Sequence, residues 1–116
     1  MSEYYGRRKA ELPPAYVAFI EANDGWEGFP AGGEDYVVLW ERQLIGKYFE
    51  NYEMEKHLDP RWFPIGSNGG GEMLCFDLAS GNDAVYWLPF ITMSGEDAIL
   101  RYQTFLDLAR RIGRSG

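Results

Sequence analysis

Apolar positions along the chain change period several times, and each change marks an element. Residues 1–10 show no periodicity and are expected to form a flexible lead. Leu12, Tyr16, Phe19 and Ile20 then recur at helical spacing, with Pro13 and Pro14 at the helix start, where a missing N–H has no partner to lose. Asn23-Asp24-Gly25 ends that helix, and Trp26 to Gly33, interrupted by Gly28, Pro30 and Gly32, reads as a loop. Tyr36 to Trp40 predicts a strand covered on both faces. Ile45, Tyr48, Phe49 and Tyr52 fall at i, i+3, i+4 and i+7, so a second helix follows; Glu50, Glu53 and Glu55 occupy its other faces, and Pro60 closes it.

Beyond Pro60 the period shortens to two. Trp62 to Ile65 predicts a short edge or irregular strand, because Pro64 cannot donate a ladder hydrogen bond. Gly66 to Gly71 must turn, and Glu72 to Leu78 is the next strand, with Leu74, Phe76 and Leu78 on one face and Met73, Cys75 and Asp77 on the other. Asp77 is the odd member of its face, and the favoured expectation is that it emerges into solvent near the strand end; the alternative is a hydrogen bond to turn backbone. Ser80 to Asp83 accepts left-handed geometry and should join this strand to Ala84–Leu88 as an antiparallel hairpin. Ser94 and Asp97 have capping-box spacing, so a final helix carrying Ile99, Tyr102, Phe105, Leu106, Ala109 and Ile112 is predicted to run to Gly113. Strands clustered between helices favour a single α+β domain over residues 11–113.

Composition supports one compact unit. The chain has 116 residues, 46% of them apolar, and its aromatic side chains (Trp 4, Tyr 8, Phe 7) can build a core without staples. Cys75 is the single cysteine and His57 the single histidine, so no disulfide within the chain, no zinc site and no metal site is expected, and a reducing compartment fits best. No stretch near the start is apolar enough for a signal peptide, and a cytoplasmic protein is the expectation.

Charge narrows the partners. The formal net charge is −7, which opposes contact with nucleic acid or an anionic membrane and favours a basic protein partner. Arg7, Arg8 and Lys9 lie near one end and Arg101, Arg110, Arg111 and Arg114 near the other. Residues 10–100 hold only four basic side chains against sixteen carboxylates, a net of −12. Ordinary solubility would also favour such a surface.

Candidate chemistry is thin. The glycine-rich segment lacks the Gly-Lys-Ser/Thr of a phosphate loop and precedes a strand, not a helix, so no nucleotide cofactor is expected. His57 sits in a polar helix end, and Cys75 alternates with apolar neighbours as a small buried hydrophobe. Glu34-Asp35, Glu53-Glu55 and Glu96-Asp97 are acid pairs of the kind a solvated surface carries. No catalytic residues and no cofactors are assigned, and the protein is not expected to be an enzyme.

Three segments carry a family resemblance. Leu12-Pro13 with Tyr16, Phe19, Ile20 and Asn23-Asp24-Gly25 resembles the opening helix of the SUKH superfamily in its Smi-Knr branch. Phe63-Pro64-Ile65-Gly66-Ser67-Asn68-Gly69-Gly70-Gly71, continuing to Asp77-Leu78, resembles the central signature, and Tyr102, Phe105 and Leu106 the closing helix. Asp24 stands where the family has a glycine and Arg101 where it often has a serine. The resemblance implies an α+β domain with a mixed, mainly antiparallel sheet and N-terminal, middle and C-terminal helices packed against it. It further implies an immunity protein that neutralises a bacterial toxin, often a nuclease, by direct binding, or alternatively a regulatory or scaffolding module without a toxin.

Stoichiometric binding would use acidic residues to steer a basic toxin and aromatic residues to hold it. The candidate contacts are Glu34, Asp35, Glu41, Glu50, Glu53 and Glu55, with Trp26 and Phe29 as aromatic anchors. Ser67, Asn68, Gly69, Gly70 and Gly71 are assigned a structural turn, since consecutive glycines allow positive φ and close backbone approach.

Overall fold

The computed structural model describes residues 3–32 and 35–112. Six strands, β1 (Trp26–Gly28), β2 (Val37–Leu39), β3 (Trp62–Ser67), β4 (Glu72–Asp77), β5 (Val85–Pro89) and β6 (Ile99–Tyr102), form one sheet in sequential order. Every pairing is antiparallel, so the expected mixed element is absent among the described residues. Helices α1 (Glu3–Arg8), α2 (Pro14–Asn23), α3 (Arg42–Asn51), α4 (Met54–His57) and α5 (Phe105–Ala109) complete the α+β domain. None of them is long and apolar enough to cross a membrane.

Tyr16 of α2 is the hub of the core. Its ring meets Phe76 at 5.2 Å, Phe105 at 5.3 Å and Phe63 at 6.5 Å, each edge to face, so α2 is tied to β3, β4 and α5 through the geometry that aromatic quadrupoles favour. The apolar face expected for this helix is therefore used: Leu12, Tyr16 and Ile20 are buried and Phe19 packs against Phe105.

The lead expected to be flexible is instead helical, as α1 and a 3-10 turn over Lys9–Glu11, and enters the core through two side chains. Tyr4 and Tyr5 of α1 are buried, and Tyr4 stacks on Phe49 of α3 at 3.8 Å and on Phe63 of β3 at 5.3 Å. A six-residue helix cannot stand alone in water, and its stability comes from this packing, which leaves no periodic trace in so short a segment. Its cations fold back onto acids of the body, Arg8 to Glu11 and Lys9 to Glu21, while Arg101 pairs with Asp35. The separation of charge along the sequence is thus partly cancelled in space.

Three further expectations change. Trp26–Gly28 is no loop but the edge strand β1, paired with Val37–Leu39. Trp62–Ser67 is the irregular strand of the two alternatives and not an edge: β3 lies between β2 and β4, and the register shifts between Pro64 and Gly66, where Ile65 is left over and its carbonyl accepts from the Trp40 N–H at 2.9 Å. The bulge accommodates a proline in an interior strand. Residues 99–102 form β6, not the start of a helix, because pairing with the open side of β5 outweighs a helical periodicity. Ser94 does cap, accepting from the Glu96 N–H, but only a 3-10 turn at Gly95–Asp97; Thr104 caps α5 by accepting from the Asp107 N–H.

The loop between β1 and β2 reaches across to the far side of the sheet. The Ala31 N–H donates to the Arg111 carbonyl at 2.9 Å, and Asp35 receives Arg101, whose guanidinium lies 4.3 Å from the Trp87 ring centre. The β1–β2 loop is thereby joined to β6 through Arg101 and to the turn after α5 through Arg111.

The Ser67–Gly71 segment joins β3 to β4. Asn68 is its organiser: its Oδ1 accepts from the Gly70 N–H at 2.9 Å, its Nδ2 donates to Glu72 at 2.7 Å, and the Gly69 N–H donates to Ser67 Oγ. Gly69 takes φ +81°, a conformation that glycine adopts without penalty. The tightest position is Gly66, where an added Cβ would sit 1.9 Å from the Val38 carbonyl oxygen; at Gly71 it would meet nothing within 4 Å.

Asp77 does not emerge into solvent. It is buried, accepts two bonds from Arg61 at 2.8 and 2.6 Å, and accepts a third from the Ala79 N–H at 3.1 Å, which realises the turn-backbone alternative and adds an ion pair. The Arg61 hydrogen bonds hold its pKa below the ordinary 3.8 against the opposing effect of burial.

Two stability predictions follow from these contacts. Gly66→Ala should cost ~3 kcal/mol in denaturant unfolding, because backbone must move, whereas Gly71→Ala should stay within about 1 kcal/mol of wild type. Asp77→Asn should cost about 2 kcal/mol at neutral pH, the worth of hydrogen bonds to a charged group. Asp77's folded-state pKa is depressed, so its contribution is complete above pH 3.8 and is lost as pH falls through the lower folded value. Melting curves on acidification should therefore converge for wild type and variant; a constant gap would contradict the pair's role.

Candidate functional site

The most developed concavity lies between α1 and the α3–α4 turn, a groove of about 770 Å³. Tyr4 and Phe49, stacked at an interplanar angle of 15°, lie in its wall, and Glu50, Glu53 and Glu55 share the lining with Arg7, Lys47 and Lys56. The three acids converge because α3 stops at Asn51 and the chain reverses through Glu53, which takes left-handed φ 52° ahead of α4. Glu53 reaches Lys56 at 3.8 Å and His57 at 4.0 Å, exposed contacts worth little to stability. The groove thus carries both signs of charge, and its acids are concentrated in one exposed segment, residues 50–55, that contains no cation.

The remaining candidates are dispersed. Asp35, before β2, is neutralised by Arg101. Glu41 is exposed at the N-terminal boundary of α3, where its side chain makes no cap; that end is served instead by Asp24, whose carboxylate accepts from the Arg42 N–H at 3.0 Å and from its guanidinium at 3.1 Å. The backbone bond from Arg42 leads in lowering the Asp24 pKa. Asp24 occupies left-handed φ 48° at the end of α2, so an aspartate fills the position expected for glycine and acts as a cap for α3. Glu34 lies outside the described residues. Trp26 is half-buried in β1 opposite Leu39, and Phe29 is 57% exposed with its ring edge to face on Tyr36 at 5.1 Å.

The groups with reactive potential are poorly placed for chemistry. Cys75 is fully buried, and desolvation pushes its thiol far above the ordinary range, so it is not a thiolate near neutrality. Burial likewise raises the Tyr4 hydroxyl to about 12, only partly offset by Arg8. His57 is exposed, its Nε2 4.0 Å from a Glu53 carboxylate oxygen. Among the described residues no three His, Cys, Asp or Glu side chains gather as metal ligands would.

Sequence reasoning missed Tyr4, which helps form the groove, and the Arg61–Asp77 pair. A Tyr4-Tyr5 doublet in an otherwise polar lead was the available signal for the first. The second joins residues 16 positions apart and left none.

No curated protein matches the chain. A family model does, described as the SMI1 / KNR4 family (SUKH-1), and it spans residues 6–111, from the middle of α1 past the end of α5. The match takes in the α2 face, the Gly66–Gly71 turn and the α5 segment from which the resemblance was drawn, and with nearly the whole domain covered, the chain belongs to the SMI1 / KNR4 (SUKH-1) family.

Proposed function

We propose that this protein is a non-catalytic binding module of the cytosol that acts as an immunity protein, occupying a basic toxin domain one to one. The observation that carries the reading is the convergence of Glu50, Glu53 and Glu55 on one exposed segment beside an aromatic-walled groove. Carboxylates so grouped raise the encounter rate with a cationic surface, and the groove gives apolar side chains somewhere to bury. The body charge, although trimmed by the folded-back cations, still leaves the molecule at −7. The buried Cys75 and exposed His57 supply no nucleophile–base couple, which favours binding over catalysis.

The test needs a toxin encoded beside the gene, which this reading predicts. In cells expressing it, wild-type protein should restore growth and retain the toxin on affinity capture. The combined variant Glu50→Lys, Glu53→Lys, Glu55→Lys should reduce capture about tenfold or more, mainly through slower association. Equal protection by both proteins would sink the electrostatic mechanism. Capture of a basic host protein without any protection would favour the regulatory or scaffolding role.

A further inference from the structure

Four aromatic rings close into a cluster on the other side of α3. Trp40 meets Tyr48 at 4.6 Å, Tyr48 meets Tyr52 at 6.1 Å, Tyr52 stacks on Phe90 at 4.9 Å, and Phe90 returns to Trp40 at 6.3 Å. Trp40 is buried, yet Tyr52 remains 44% exposed, so the cluster is open at one end. Phe90 begins the turn after β5, and that turn is pinned twice: the Phe90 N–H donates to the Gly71 carbonyl, and the Met93 N–H to the Pro89 carbonyl, both at 2.9 Å. Met93 holds left-handed φ 49°. Between these fixed points stands Ile91, 96% exposed.

An isoleucine left wholly in water contributes no burial to the fold, and one such residue alone needs no explanation. Ile91 is not alone. It follows the half-buried Phe90 in sequence, the Phe90 ring stacks on the exposed Tyr52, and the backbone that carries both Phe90 and Ile91 is pinned at Gly71 and Pro89. Tyr52 also lies in sequence between Glu50 and Glu53, two of the three acids of residues 50–55, a segment that Lys56 follows directly.

Charge decides what fits. A second copy of this chain would bring two bodies of −7 together, and an anionic lipid surface would be repelled likewise. A basic protein surface suits both halves of the patch: an arginine can lay its guanidinium on an exposed ring while meeting a neighbouring carboxylate, and aliphatic side chains can cover Ile91.

We propose that Tyr52, Phe90 and Ile91 form the apolar anchor of the partner interface, with Glu50, Glu53 and Glu55 as its steering rim and a cationic protein surface as occupant. The assignment rests on the binding function proposed above and names the surface that serves it.

Ile91→Asp is the decisive variant, because a side chain 96% exposed can be replaced with little effect on folding. With the neighbouring-gene toxin as probe, Ile91→Asp and Tyr52→Ala should each weaken capture about tenfold or more, as anchor residues do, while Ile91→Leu retains it. Melting temperature of the Ile91→Asp protein should stay at the wild-type value. Undiminished capture by both Ile91→Asp and Tyr52→Ala would overturn the anchor while leaving the binding function intact. Failure of the wild-type protein to retain the toxin would overturn both. Sedimentation of the wild type as a dimer that Ile91→Asp dissolves would assign the patch to self-association and overturn the cationic occupant.

Discussion

The backbone approach at Gly66 is the constraint on which the sheet depends. With hydrogen in place of a side chain, β3 comes close enough to the Val38 carbonyl for β2 to pair with it, and β1 in turn pairs only with β2. The adjoining bulge at Ile65 turns its carbonyl to the Trp40 N–H, so the end of β2 and the start of the α3 connection are fixed by the same step. The glycines that follow serve a different purpose: they let Asn68 collect the turn's donors and acceptors, and they place the Gly71 carbonyl under Phe90. One short sequence thereby sets the central hairpin, the outer strands and the turn that projects Ile91.

Helices attach to this framework through aromatic rings. Tyr16 joins α2 to Phe63, Phe76 and Phe105, and Tyr4 joins α1 to Phe49 and Phe63, so Phe63 is common to both sets. Offset and edge-on pairs of this kind favour particular ring orientations as well as burial, which fixes the angle at which each short helix lies. The groove beside Tyr4 and Phe49 is a product of that arrangement, since α1 is too short to bound it without the stack.

What the sequence made legible was whatever repeats locally. The apolar spacing of α2 and α3, the alternation of β4, the glycine turn and the family signature all lie within a few residues, and all have the structural counterparts described. What it hid depends on distant partners. Ile99 and Leu100 have helical company in sequence but strand company in space, because β5 offers an unpaired edge. Pro64 argued for an edge strand until the bulge beside it supplied another solution. The same division runs through the site. Glu50, Glu53 and Glu55 are near neighbours and could be read together, whereas Tyr52 and Phe90 meet across 38 residues, and nothing in the local pattern distinguishes Trp26 and Phe29 from them.

The bond from Ala31 to Arg111 links residues 80 positions apart and brings the β1–β2 loop against the end of α5. Together with Asp35 and Arg101 it closes the sheet's two outer strands into one mechanical circuit. Lifting the β1–β2 loop from the molecule would break both contacts, a local opening with a cost beyond that of the β1–β2 pairing itself. The turn after α5 thus holds a loop formed near the start of the chain, a long-range closure that no local pattern encodes.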